Sequence, residues 1–263
     1  INNCFFQGRW IKKKNFIILT RKNIKFLDLI SNSESSIFEE RKKMKIKFIK
    51  LKKKVKNIEI CDILDGNIYN TKQREIDMAK RPLILFGQGV IIGNAEEELK
   101  TFVEKTGIPA AWTLLGLSAM PSDHPLNVGM LGMHGNYAPN LLTNQCDVLI
   151  AVGMRFDDRV TGDLSRYAKQ AKVIHLELDP SEINKNVKVD VAVLGDCKES
   201  LAKLTEAISS KKHEEWMAKF RTLEQQEKEA VMQHDLTPTK VGLTMGEVIH
   251  HINRYKADDA VLV

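Results

Sequence analysis

Short apolar runs that stop at glycine, spaced a helix-length apart, constrain this chain more than any other feature of its sequence. Pro82–Phe86 (PLILF) runs into Gly87-Gln88-Gly89, Asp147–Val152 (DVLIAV) into Gly153, and Val187–Leu194 (VKVDVAVL) into Gly195. Each run is long enough for one strand and too short for a core helix. The first two are apolar almost throughout, as expected of strands covered on both faces. Lys172–Leu178 (KVIHLEL) and Pro109–Leu114 predict two more strands. Between them, Asn94 is read as a helix N-cap with Glu97 as its capping-box partner and Gly107 as its terminator. Asp196 and Glu199 form a second such box, opening a helix to about Ser209. Strands alternating with helices at this spacing predict an α/β fold: a doubly wound parallel sheet with flanking helices. The Gly- and Pro-rich segment from Gly116 to Pro139 reads as a functional loop.

Charge divides the chain unevenly. The net +6 of the 263 residues comes from +11 over residues 1–80 and −5 over the remainder, so the basic excess says nothing about the α/β part. Ile, Lys, Asn and Phe make up 37 of the first 60 residues. These are residues of A/T-rich codons, and residues 1–75 are expected to be disordered or foreign to the domain that follows. A wrong-frame or intergenic origin would explain both the bias and the missing initiating Met. Residues 42–56 can be read as a weak basic amphipathic helix, which would suit RNA or an anionic surface. Residues 212–233 predict a charged helix, 235–244 a linker, 244–254 another helix, and 259–263 the onset of a strand. The organisation expected is therefore 1–75, a domain over 76–234, and a linker with the start of a further domain over 235–263.

Several function classes are excluded by what is missing. No run approaches the ~20 apolar residues that a membrane helix needs, and no signal-peptide progression opens the chain. The four cysteines are scattered, with no C-x-x-C pair, which argues against a disulfide framework or a zinc site. P-loop, zincin and nucleophile-elbow motifs do not occur, and no metal site is expected. A cytoplasmic location is the default.

Glycines at the carboxyl ends of parallel strands are where a nucleotide's backbone can approach, next to free helix N–H groups. Gly87-x-Gly89 lacks the spacing of a Rossmann fingerprint, so an ordinary NAD dehydrogenase is not favoured. In Gly129–Gly135 (GMLGMHG), Met133 could cover a flat ring or simply pack the loop. His134 could donate to a ligand carbonyl or be structural. Arg155 and Arg159, in RFDDR after a strand, suit a phosphate or carboxylate; the alternative is a solvated ion-pair network with Asp157 and Asp158. Glu177 could accept from ribose hydroxyls or be an ordinary strand-end carboxylate.

Taken together, KRPLILFGQGVI (80–91), GIPAAWTLLGLSAMPSDHPLNVGMLGMHG (107–135), CDVLIAVGMRFDDRVTG (146–162), KVIHLELDPSEINKN (172–186) and VLGDC (193–197) resemble the large catalytic subunit of acetolactate synthase. The likeness covers its middle domain and the first residues of the domain after it, and GMLGMHG with RFDDRVTG is its most specific part. That family is thiamine-diphosphate-dependent. It condenses pyruvate with a second 2-ketoacid, such as 2-ketobutyrate, in branched-chain amino acid biosynthesis, and it uses Mg²⁺ and an FAD with no net redox part.

The resemblance implies an FAD extended across the strand ends of the middle domain. Gly87 and Gly89 would approach its backbone, Thr113 and Leu114 would line its path, and Leu131, Gly132, Met133 and His134 would pack on the flavin side. Gly153, Arg155, Asp157, Arg159 and Val160 would follow, with Glu177, Leu178, Gly195 and Asp196 at the adenosine end. Arg159 would also bind the carboxylate of the acceptor ketoacid. It further implies a homodimer or tetramer of large subunits with no membrane or nucleic-acid partner, and leaves open a small regulatory subunit. The family's activating Glu and its Gly-Asp-Gly…Asn-Asn motif have no match in these residues, nor has an upstream Arg of its FAD site. The expectation is a fragment without carboligase activity of its own. Two other readings remain open at this point: an NAD-dependent deacylase-like domain of similar architecture, and an RNA-binding protein using its basic arm.

Overall fold

The computed structural model describes residues 59–62 (as backbone), 75–236, 242–257, 259 and 260. The basic helix read over 42–56 lies outside them, as do residues 261–263 of the strand expected at the end. Residues 259 and 260 are not in a strand.

Among the described residues, seven strands form one parallel sheet: β1 (Glu59–Asp62), β2 (Pro82–Phe86), β3 (Ala110–Trp112), β4 (Asn127–Met130), β5 (Val148–Val152), β6 (Lys172–Glu177) and β7 (Val191–Leu194). Their spatial order is β1-β7-β6-β5-β2-β3-β4. From β2 the chain builds outward through β3 and β4, then returns to lay β5 against the other side of β2 and builds outward again through β6 and β7. The winding direction therefore reverses between β2 and β5. The doubly wound parallel α/β fold expected from the alternating pattern is the fold observed. Its outermost strand, β1, comes from the segment that composition sets apart.

Alternation along the strands sends side chains to two layers. Ile84, Phe86, Ile150, Val152, Ile174 and Leu176 pack on one face with Leu99 and Phe102 of α2 (Glu96–Thr106) and Leu201 and Leu204 of α5 (Cys197–Ala207). Leu83, Leu85, Leu149, Ala151 and Val173 pack on the other with Leu142 of α3 (Tyr137–Thr143) and Trp216 and Phe220 of α6 (Glu214–Glu227). The Trp216 indole N–H is satisfied by the Pro82 carbonyl at 2.8 Å. Between β2 and α2 a single helical turn, α1 (Gln88–Ile92), follows the first glycines, and α4 (Asp158–Thr161) follows β5. Beyond α6, α7 (Met245–Tyr255) is capped by the Thr244–Glu247 box and buries none of its residues.

Three expectations are corrected. Asn94 does not cap α2: α1 intervenes, Asn94 turns through φ 47°, and Ala95 takes the N-cap position without a side-chain bond. Asp196 does cap α5, accepting from the Lys198 N–H at 2.8 Å, but Glu199 makes no reciprocal bond. The segment 116–139 is not all loop, because Asn127–Met130 pairs with β3 as the edge strand β4. Its Asn and Gly residues hide the strand from a hydropathy reading.

The two glycine turns at the reversal point touch backbone to backbone. The Gly89 N–H donates to the Gly153 carbonyl at 2.8 Å, and a Cβ on Gly153 would lie 2.8 Å from the Gly89 Cα. Gly153 also has φ 54°, where a side chain is strained. Gly162 also has positive φ, at 56°, but with ψ −124° and open space around it. Gly153→Ala should therefore cost about 3 kcal/mol, combining overpacking and left-handed strain, and Gly162→Ala only about 1 kcal/mol. Urea denaturation midpoints of the two variants check this.

Candidate functional site: the carboxyl edge of the sheet

Every strand is parallel, so all carboxyl ends lie along one edge, and each residue singled out from the sequence follows one of six neighbouring strand ends. In spatial order the edge reads Gly195 and Asp196 after β7, Glu177 and Leu178 closing β6, and Gly153, Arg155, Asp157, Arg159 and Val160 after β5. It continues with Gly87 and Gly89 after β2, Thr113 and Leu114 after β3, and Leu131–His134 after β4. Five strand spacings of ~4.8 Å make this edge ~24 Å long, which suits an elongated ligand. The reversal between β2 and β5 is where such sheets bind ligands, because helices on either side diverge and leave a crevice.

The edge exposes large apolar side chains beside an otherwise closed core: Ile92 (66%), Leu114 (67%), Leu115 (58%), Met133 (64%) and Leu178 (59%). Leu131 does not join them. It is buried with Val128, Ala138 and Leu142, and Val160 leans on the same cluster. Gly116 lies over the end of β2, with room for no Cβ above the Phe86 carbonyl.

Past β5 the chain alternates in and out. Met154 and Phe156 are buried, while Arg155 and Arg159 are exposed. Two side chains fix the inward carbonyls: His175 Nε2 meets the Met154 oxygen at 2.9 Å, and Asn186 Nδ2 donates to the Phe156 oxygen at 2.6 Å. Arg155 lies 3.7 Å from Asp157, whose Oδ1 caps α4 through the Val160 N–H at 3.3 Å. The Arg159 guanidinium has no partner among the described residues, whereas its carbonyl accepts the Met133 N–H at 2.8 Å. The ion-pair alternative thus describes Arg155 with Asp157 and leaves Arg159 free for an anion.

Glu177 is only partly available. Its Oε1 accepts the Leu178 and Asp179 N–H groups at 2.8 and 3.1 Å, and burial raises its pKa above the ordinary carboxylate value. Cys197, at the start of α5, has its thiol pushed up to about 12 by burial and by the neighbouring Glu177 and Asp196 carboxylates, so it is no nucleophile. Among the described residues no group of three or more His, Cys, Asp or Glu could hold a metal ion, and no helix is long and apolar enough to cross a membrane.

Sequence reasoning missed the residues behind the edge. The one signal that could have found His175 is a lone His inside an apolar strand; Asn136, Asn140 and Asn186 carry none, because amides that bond loop backbone have no periodicity. His175 is fully buried and packs edge-on to Phe156 at 5.1 Å between centroids. Its Nδ1 has no partner, so the ring carries its proton on Nε2, facing the Met154 oxygen.

Comparison with known proteins agrees with the resemblance seen in the motifs. The profile of the family described as "Thiamine pyrophosphate enzyme, central domain" matches residues 73–204. Over 148 residues (55% of this chain) the sequence is 47% identical to the "Probable acetolactate synthase large subunit" of Methanocaldococcus jannaschii, covering 25% of it. It is 50% identical over 131 residues to the acetolactate synthase large subunit of Parasynechococcus marenigrum, half of this chain and 21% of the relative. It is 47% identical over 139 residues to that of Corynebacterium glutamicum, 53% of this chain and 22% of the relative. The chain thus spans about a fifth to a quarter of the length of the curated relatives it matches.

Burial lowers the pKa of both His175 and His213 below the ordinary imidazole value. A folded-state pKa below the unfolded one means that the unfolded chain binds the proton first, so stability falls as pH drops through about 6.5. Glu177, shifted upward, has the opposite slope, since it loses stability as pH rises from its unfolded pKa through its folded one. His175→Gln, which can retain an N–H toward Met154 but cannot titrate, should lose part of the decline between pH 7.5 and 5.5. Urea midpoints of both proteins across that range measure it.

Proposed function

Because this chain belongs to the thiamine pyrophosphate enzymes through their central domain, we propose that it is the FAD-binding middle part of an acetolactate synthase large subunit. The observation that carries the reading is the order of groups along the carboxyl edge. Acidic and helix-start groups stand over β7 and β6, arginines and touching glycines over β5 and β2, and exposed Leu and Met over β3 and β4. That is the order of adenosine, diphosphate and flavin ring in an extended dinucleotide.

In this reading the remaining oxygen of Glu177, the start of α5 at Gly195 and Asp196, and the apolar Leu178 hold the adenosine. Arg155 and the backbone at Gly87, Gly89 and Gly153 receive the diphosphate. Thr113, Leu114, Gly132, Met133 and His134 cover the flavin. Leu131 supports that loop from the core, while Asp157 and Val160 hold the turn that presents Arg159. The exposed leucines and methionine fit a flat apolar ring better than solvent does. FAD bound here supplies no net redox chemistry in this family. The part of this chain is to bind and orient it, and to offer Arg159 to the carboxylate of the acceptor ketoacid.

The organisation proposed is a middle domain over 76–234, followed over 235–263 by a linker and the start of the thiamine-diphosphate domain. Composition sets residues 1–75 apart from it, although Glu59–Asp62 pairs with β7 as the outermost strand of its sheet. Thiamine diphosphate and Mg²⁺ are held by other parts of the whole enzyme, which joins pyruvate to pyruvate or 2-ketobutyrate. Its large subunits pair as dimers or tetramers in the cytoplasm.

Titration of FAD with the 263-residue chain, read as quenching of flavin fluorescence, tests the reading. Saturable binding that NAD does not compete away is expected, and Leu114→Asp together with Met133→Asp should weaken it at least ~10-fold by charging the ring's apolar cover. Binding of NAD in preference to FAD would reject it.

A further inference from the structure

The loop that carries Gly132, Met133 and His134 is held by one side chain in an unusual way. Asn140, on α3, accepts the Gly132 N–H through Oδ1 at 2.8 Å and donates from Nδ2 to the Gly132 carbonyl at 2.9 Å. An amide side chain thereby reproduces the two-bond exchange of an antiparallel strand pair. On its opposite side Gly132 lies against the Arg159 carbonyl, so close that a Cβ would stand 2.6 Å from that oxygen. Its φ of 106° is reserved for glycine. The next residue, Met133, donates its N–H to the same Arg159 oxygen at 2.8 Å. Gly132 is therefore gripped between the Asn140 amide and the turn that presents Arg159.

The grip has its own support. Asn136 accepts the Met130 N–H through Oδ1 at 2.9 Å and returns its own N–H to the Met130 oxygen at 2.7 Å. The first N–H of α3, from Tyr137, ends on Glu227 of α6 at 3.1 Å. Both ends of the loop are thus tied to α3, and α3 is tied to α6. Asn140 is the member of this network that touches the residue directly before Met133.

We propose that Asn140 is a positioning residue that locks the Gly132–Met133 backbone onto the Arg159 turn, so that the flavin-side loop and the carboxylate-binding arginine move as one unit. This rests on the FAD reading above. Asn140 itself touches no ligand; it acts through Gly132. Any ligand that orders Met133 then orders Arg159 as well, through the shared carbonyl.

Two variants separate positioning from mere packing. Asn140→Ala removes both bonds. Asn140→Asp keeps the acceptor for the Gly132 N–H, but when ionised it sets a carboxylate oxygen against the Gly132 carbonyl. When protonated it can donate again. The charged and titratable groups around this point are Glu227 of α6, Arg159 of α4 and His134 of the loop; they are common to both variants, so the ratio between variants isolates position 140. In the chain without FAD, amide hydrogen exchange at Gly132 and Met133 should be at least ~10-fold faster in Asn140→Ala, with Gly153 unchanged. With FAD as the probe, Asn140→Ala should bind about tenfold more weakly than the parent at both pH 8 and pH 5. Asn140→Asp should be weakened as much or more at pH 8, and should gain affinity relative to Asn140→Ala only as the pH falls through the pKa of its carboxyl. Unchanged exchange in Asn140→Ala overturns the proposal. So does faster exchange with parent-like FAD affinity, or an Asn140→Asp variant with parent-like affinity at pH 8. A parent chain that binds no FAD at all rejects the underlying reading and with it the site role of Asn140, while the exchange data still report whether the clamp exists.

Discussion

Two glycine turns in contact at the carboxyl edge hold the site together. β2 and β5 are neighbours although the chain visits β3 and β4 between them, and their exits must pass each other where the winding reverses. Only residues without a Cβ fit there: Gly89 and Gly153 meet backbone to backbone, and Gly87 has Met154 and the Gly153 carbonyl within 3 Å of where its own Cβ would stand. This contact satisfies the Gly89 N–H and sets the course of α1 on one side and of Met154–Arg159 on the other. It also gives these glycines a reason independent of any ligand. A crevice and a tight backbone crossing are two consequences of one topological fact.

From that crossing the edge is built outward by side chains that bond backbone rather than one another. His175 and Asn186 hold the carbonyls of Met154 and Phe156, which leaves Arg155 and Arg159 facing out. Asn136 and Asn140 hold the loop after β4, and Asp196 and Asp157 cap the helices that start at the edge. The groups facing outward can therefore be apolar or cationic without loosening the loops, because their shape is enforced from behind. The unpaired Nδ1 of His175 marks where this support is costly and pH-sensitive.

The sequence made the fold legible because parallel strands buried on both faces are apolar almost throughout. β2, β5 and β6 stand at or within a residue of where PLILF, DVLIAV and KVIHLEL put them. β4 was illegible for the converse reason. NVGM lies at the sheet edge and carries Asn and Gly, so hydropathy alone makes it loop. The capping reading failed at Asn94 because α1 occupies residues that a strand-to-helix turn would otherwise use, and it held for Asp196, where β7 leads directly into α5. The candidate site was legible as strand-end glycines, arginines and Glu177, since their position follows from the strands. Its supports were not, because Asn140 and Asn186 act across distances in sequence that only the fold closes.

The central claim is that the carboxyl edge binds one extended dinucleotide with its adenosine over β7 and β6 and its flavin over β3 and β4. Amide NMR shifts of this chain, titrated separately with ADP and with FMN, test it most directly. The account predicts that ADP moves Glu177, Leu178 and Gly195–Cys197, that FMN moves Thr113–Leu115 and Gly132–Gly135, and that both move Gly87–Gly89 and Gly153. Shifts from both ligands at a single strand end, or shifts confined to the helical faces of the sheet, would contradict it.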